Sequence, residues 1–214
     1  MAISTYSELQ EAVASWLNRS DLTTTIPDFI TLAESRLNRT LRLRVMETTT
    51  TLSLTASSRT VALPSAFIEP LALWRDADTK RVELRFLLPD VMTVYDTEGV
   101  PEFWTVDGAN LAVERPADAG YTLPFRYLAG FALSDESPTN WLLTNHPDAY
   151  LFATLVESAP YLRDQANLAI WKARLQAALK EINEKEGRSR SLATLSTDPA
   201  LSWRHRNHCG LLVV

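Results

Sequence analysis

Several stretches hold residue types that could do chemistry. His205, His208 and Cys209 lie close enough together to suggest zinc. A structural zinc site takes four ligands, and no second cysteine cluster supplies the rest. The expectation is therefore no metal, only a polar, basic segment with coincidental spacing. Asp76 with Asp78, and Asp135 with Glu136, pair carboxylates as acid–base catalysts do. Both pairs fall in predicted turns, where aspartate is common for backbone reasons. His146 stands just before Pro147 at a predicted helix start, where a loop or cap contact explains it better than a catalytic base. Trp16, Trp74, Trp104, Trp141 and Trp171 could stack sugars, but they fall on predicted core faces or element ends, where packing is the default. The chain has no G-x-x-x-x-G-K-S/T, G-x-S-x-G, H-E-x-x-H or G-x-G-x-x-G. Nothing in these patterns proposes an enzyme or a cofactor, and a non-enzymatic protein is expected.

Two other constellations suit contact rather than catalysis. Arg36, Arg39, Arg42 and Arg44 crowd the last turns of a predicted helix, where cations meet the negative end of the dipole. They either meet a neighbouring subunit or form a solvated helix end that pairs with nearby carboxylates; DNA contact ranks below both. Ala166, Ala169, Ala173 and Ala177 form a stripe of small residues on a later helix. Small side chains let another helix backbone come close, from the same hairpin or from a neighbouring subunit.

The elements that must position these residues follow from periodicity. Thr5 and Glu8 make a T-x-x-E capping box, and Tyr6, Leu9, Val13, Trp16 and Leu17 then share one helix face, to about Asn18. Pro27 opens a second helix with Ile26, Phe29, Ile30, Ala33, Leu37 and Leu41 as its buried stripe. The pattern then turns β-like. Strands are predicted over 48–55, 59–63, 67–74 (bent near Pro70), 81–86, 102–106, 111–114 and 121–129. The first two read as a hairpin around Ala56-Ser57-Ser58, and Leu88-Pro89-Asp90 reads as the start of a short helix to about Asp96. Residues 140–186 close the body. Pro147 starts a helix that is apolar nearly all round and should be buried, and Pro160 ends or kinks it. A second helix from about Asp164 carries Leu168, Trp171, Leu175, Ala178, Leu179 and Ile182 on one stripe. The expected fold class is α+β. Helical hairpins 1–45 and 140–186 pack as a four-helix layer, with 46–139 as a β-rich insertion and 187–214 as an extended C-terminal arm.

Composition bounds the function. The chain has 214 residues, is 46% hydrophobic and carries a formal charge of -5, so it can bury a core and offers no overall invitation to DNA or an anionic membrane. Its single cysteine, Cys209, forms no disulfide within the chain, which fits a reducing cytoplasm. No secretory signal and no apolar run long enough to cross a bilayer is visible, so no membrane is expected and the sequons at Asn18 and Asn38 read as chance matches. From Gly187 onward the chain holds four arginines and one aspartate, a formal +3, together with Trp203 and a terminal Leu-Leu-Val-Val. Large apolar groups on such a segment call for a surface to lie on.

Four stretches together resemble a known family. They are T-Y-S-E-L-Q-E-A-V-A-S-W-L-N-R-S-D-L, I-P-D-F-I-T-L-A-E-S-R-L-N-R-T-L-R, L-P-S-A-F-I-E-P and S-P-T-N-W-L-L-T-N-H-P-D-A-Y-L-F-A-T-L-V-E-S-A-P-Y-L-R-D. Across residues 5–186 the chain resembles the adaptor proteins of tailed bacteriophages, also called head-to-tail connector or head–tail joining proteins. The resemblance implies a homo-oligomeric ring, typically of twelve subunits, made in the bacterial host cytoplasm and seated in the virion neck beneath the portal protein. Genomic DNA would pass through it without sequence-specific binding, and a tail, stopper or nozzle protein would dock on the other side. A C-terminal arm commonly reaches the portal; here that role falls to Arg188, Arg190, Trp203, Arg204, Arg206, Leu211, Leu212 and Val213. The subunit-interface candidates are Arg36, Arg39 and Arg42 with the alanine stripe. Rival readings are another neck or tail-completion protein, a DNA-binding packaging accessory, and an unrecognised hydrolase with its site in the β unit.

Overall fold

The computed structural model describes residues 3–77 and 80–194, with backbone alone at 77 and 187–194. Two helices open the chain. In α1 (Tyr6–Leu17) the Thr5 hydroxyl accepts the Glu8 N–H at 3.3 Å and the Glu8 carboxylate accepts the Thr5 N–H at 3.1 Å, so the expected capping box forms. Asn18 ends the helix in the left-handed conformation, φ 51°. In α2 (Ile26–Thr40) Pro27 occupies the first turn and Ile26, Phe29, Ile30, Ala33 and Leu37 are buried. A 3-10 turn, Arg44–Met46, leads to the strands.

Seven strands follow: β1 (Glu47–Leu54), β2 (Thr60–Ala62), β3 (Phe67–Ala77), β4 (Lys80–Phe86), β5 (Phe103–Asp107), β6 (Asn110–Val113) and β7 (Tyr121–Ala129). They form one mixed sheet in the order β1-β7-β3-β4-β5-β6-β2. Among these seven strands, β4 and β5 alone pair in parallel. The end strands β1 and β2 are consecutive in the chain and approach each other without pairing, so the sheet is nearly closed. Leu52, Leu54, Leu73, Leu84, Trp104, Leu111, Val113, Leu123 and Phe125 fill its inner face. The expected β1–β2 hairpin does not exist. Ser57 takes φ 61° and donates its N–H to Ala117 O, which turns β2 away to β6. The bend expected near Pro70 is present as a register shift between Pro70 and Ala72.

Three helices close the described chain: α3 (Trp141–Asn145), α4 (Pro147–Leu162) and α5 (Gln165–Thr194). They correct the expected four-helix layer of two hairpins. Helices α1 and α2 pack less on each other than on α4, which also carries α5. The reason lies in α4, whose Ala149, Tyr150, Leu151, Ala153, Leu155, Val156 and Ala159 are all buried and spread around the helix. A helix apolar on all sides takes partners on all sides, whereas a layer would cover only a stripe. Pro160 lies within α4, which runs two residues further before Arg163 caps it at φ 55°. Helix α5 carries eight residues past Glu186, so 187–194 are helical and not an extended arm.

Candidate assembly surfaces

Among the described residues no group of three or more His, Cys, Asp or Glu is placed to hold a metal ion. His205, His208 and Cys209 lie outside those residues, as do Asp78 and the arm residues Trp203, Arg204, Arg206, Leu211, Leu212 and Val213. Arg188 and Arg190 lie in α5, where only the backbone is described. Asp76 pairs with Arg81 at 3.0 Å across the β3–β4 turn. Asp135 and Glu136 are exposed in the turn where the Ser134 N–H bonds Ser137 O. His146 sits at the N-cap of α4 with its ring 5.5 Å from that of Trp141. Burial first, then Lys185, holds its imidazole below the ordinary histidine range. Trp104 and Trp171 are core residues; Trp16 packs edge-on against Phe152 while remaining 54% exposed.

The arginines divide. Arg36 pairs with Glu157 and ties α2 to α4. Arg42 pairs with Glu69 at 2.7 Å and also bonds Asn38 O and Leu41 O, which ties α2 to β3. These two therefore join elements within the subunit. Arg39 is exposed and makes no ion pair among the described residues. The alanines are less ambiguous. Helix α5 turns Trp171, Leu175, Ala178 and Ile182 inward, and Ala166, Ala169, Ala173 and Ala177 outward to solvent. Ile170, in the same outward stretch, is 58% exposed. The stripe does not receive the hairpin's own first helix.

Two buried carboxylates escape a motif search. Glu34, 8% exposed, sits between α2, α4 and the loop before α3. The Tyr150 hydroxyl donates to it at 3.2 Å, and Asn140 Nδ2 donates to that hydroxyl at 2.7 Å. Burial pushes the Glu34 carboxyl up to about 7, against hydrogen bonds from Tyr150 and Leu133 that favour its charge. Its spacing gave a signal: Glu34 stands four residues after Ile30 and three before Leu37, within the buried stripe of α2. Glu114 is 1% exposed, and its two oxygens accept the Glu102 N–H at 2.9 Å and the Phe103 N–H at 3.1 Å. No local pattern marks it, because its partners belong to a different strand.

Glu114 anchors residues 87–102, the segment that links the parallel strands β4 and β5. The expected helix over 88–96 is absent; a turn forms at Leu88, where the Val91 and Met92 N–H groups bond Leu88 O. Beyond it the segment is fastened outward. The Tyr95 N–H bonds Glu114 O at 2.8 Å, the Gly99 N–H bonds Pro116 O at 3.0 Å and Ser57 Oγ bonds Glu98 at 2.6 Å. The Arg115 guanidinium lies 4.6 Å from the Tyr95 ring centre. A Cβ at Gly99 would come 2.9 Å from Arg115 Cδ, so a side chain there would displace the arginine. The pinned segment nevertheless leaves Leu88, Val91, Val94, Tyr95 and Val100 exposed, at 37–65%. Between β4 and β5 an open cleft is lined by Arg75, Glu83, Arg85 and Glu102, with no His, Ser or Cys on its wall.

The architecture is thus a helix cluster with an outward small-residue face and a sheet unit with a fastened, exposed apolar loop. Residues 4–198 match the family model for the SU10 adaptor protein. This chain belongs to that family. It is a phage head–tail adaptor family, so the resemblance in the sequence holds across nearly the whole chain. No curated protein matches the chain. A family of head–tail adaptors places this member among the structural components of that junction. No helix among the described residues is long and apolar enough to cross a membrane.

Proposed function

We propose that this adaptor assembles as a non-enzymatic ring, typically of twelve subunits, that joins the portal of the filled capsid to the tail, stopper or nozzle protein. Genomic DNA passes through its channel. A ring closes only if each subunit offers two complementary faces. The observation that carries the reading is the outward alanine stripe of α5 with Ile170 exposed in it, a face left open among the described residues. The C-terminal segment, basic and apolar, serves as the portal arm. Charge supports free passage of DNA. Residues 46–139 hold seven basic and fourteen acidic side chains, a formal −7. Phosphates are repelled by such a surface, and each cation withheld weakens binding. Two arginines once open to DNA, Arg36 and Arg42, are already engaged inside the subunit. The deciding experiment images the chain mixed with portal. A collar seated beneath the portal with a central hole is expected, and its absence would overturn the reading. Deleting residues 187–214 is expected to abolish portal binding and leave the body folded; a truncated chain that joins portal normally would remove the arm from the account.

A further inference from the structure

Residues 87–102 combine three properties that seldom coincide in one loop. They are fixed by five contacts to Glu114, Pro116, Ser57 and Arg115. They expose Leu88, Val91, Val94, Tyr95 and Val100. They carry Asp90, Asp96, Glu98 and Glu102 and no basic residue. Long structureless loops in compact proteins are functional more often than not, and contiguous exposed apolar side chains mark contact sites. A loop already fixed loses little entropy on binding. The surface asks for an occupant that is apolar and cationic.

The chain supplies one. Residues 195–214 carry Trp203 and Leu211 to Val214 with Arg204 and Arg206 against the single acidic Asp198, a formal +1 facing the −7 of the β unit. Direction fits as well. Helix α5 begins beside the end of α4 and runs toward the sheet, where the Glu186 carboxylate accepts the Arg44 N–H at 3.1 Å just ahead of β1. The helix continues to Thr194, eight residues beyond that contact. Twenty residues remain, enough to span roughly 65 Å when extended. We propose that the fastened loop 87–102 is the docking surface for residues 195–214 of the same chain in the unassembled subunit. Each apolar surface then covers the other until a partner competes for one of them. This docking does not depend on which partner finally takes the segment, and it stands even if the portal reading fails.

The chain's single cysteine provides the probe. In the full chain, Val91→Cys is compared with Thr49→Cys, an exposed control on β1, under mild oxidation at low protein concentration. The expected result is an intrachain disulfide to Cys209 that forms at least tenfold faster from position 91. Asp90→Lys with Asp96→Lys is expected to slow it at least threefold. Equal rates at the two positions, or links only between chains, would overturn the proposal; the second outcome would assign the loop to a neighbouring copy. Portal binding by the chain cut at residue 194 is a separate readout and tests the arm alone.

Discussion

Glu34 illustrates how one atom pair can tune a fold. Its carboxyl is held up to about 7 by burial, well above its ordinary 4.5. The folded state therefore binds a proton that the unfolded chain releases. The stability this contributes is fully present below about pH 4.5 and is lost as pH rises through about 7, on the order of 2–3 kcal/mol. Glu34→Gln keeps a neutral amide beside Tyr150 and removes the titration. Urea unfolding at pH 5 and pH 8 should show the wild type losing more stability than the variant; parallel losses would show that Glu34 is not the titrating group. No motif marks the residue, though its place inside the stripe Ile30–Ala33–Leu37 makes it face the core. What the sequence did not carry was its partner, Tyr150, which lies on a helix more than a hundred residues away.

At the scale of elements, local signals succeeded where neighbours in sequence decide the structure. The capping box at Thr5 and Glu8 needed nothing distant. The β1–β2 hairpin and the helix at Leu88 failed because remote bonds outcompete local ones. Ser57 is claimed by Ala117, and Tyr95 and Gly99 by Glu114 and Pro116. That competition predicts a mutational effect. Glu114→Ala leaves two N–H groups without their acceptor at a site 1% exposed, each costing about 1–3 kcal/mol. Limited proteolysis should then cut within residues 87–102 before any helix is attacked. Cleavage elsewhere first would show that the loop is fastened by its other contacts. Helix α5 allows the opposite experiment. Ala173→Glu lies on its outward face, so urea stability should move by no more than about 0.5 kcal/mol. Ring formation on portal should be lost, and rings of normal size would move the subunit contact to another face.

For the molecule as a whole, the sequence placed helices at both ends and strands between them, yet misjudged how the helices meet. Amphipathic stripes tell which side of a helix is buried but not against which partner. Only α4, apolar all round, hinted that it would be a hub, and the hub is what replaced the layer of two hairpins. The two cores stay separate. One is gathered around α4, and the other lines the inside of the sheet. Loss of a large side chain from either should cost about 2–5 kcal/mol. Leu155→Ala and Leu84→Ala, both buried, allow the coupling to be measured by urea unfolding. A single shared transition is expected, because Leu128 at the end of β7 packs in the helical core while Tyr127 beside it packs in the sheet. Two resolved transitions would show that the sheet melts alone.

The strand order has one more implication. The chain enters the sheet at Glu47 and leaves it near Leu128, and these two residues sit opposite each other in the β1–β7 ladder. Cross-strand neighbours are only about 5 Å apart. Residues 48–127 are thus spliced into the helical body at one two-stranded junction, like a cassette clipped into a socket, with the Arg42–Glu69 pair on β3 as a further clip. A relative could carry a larger, smaller or quite different cassette there without displacing a single helix. Variation among such proteins should therefore concentrate beyond the junction, leaving the helical socket constant in size.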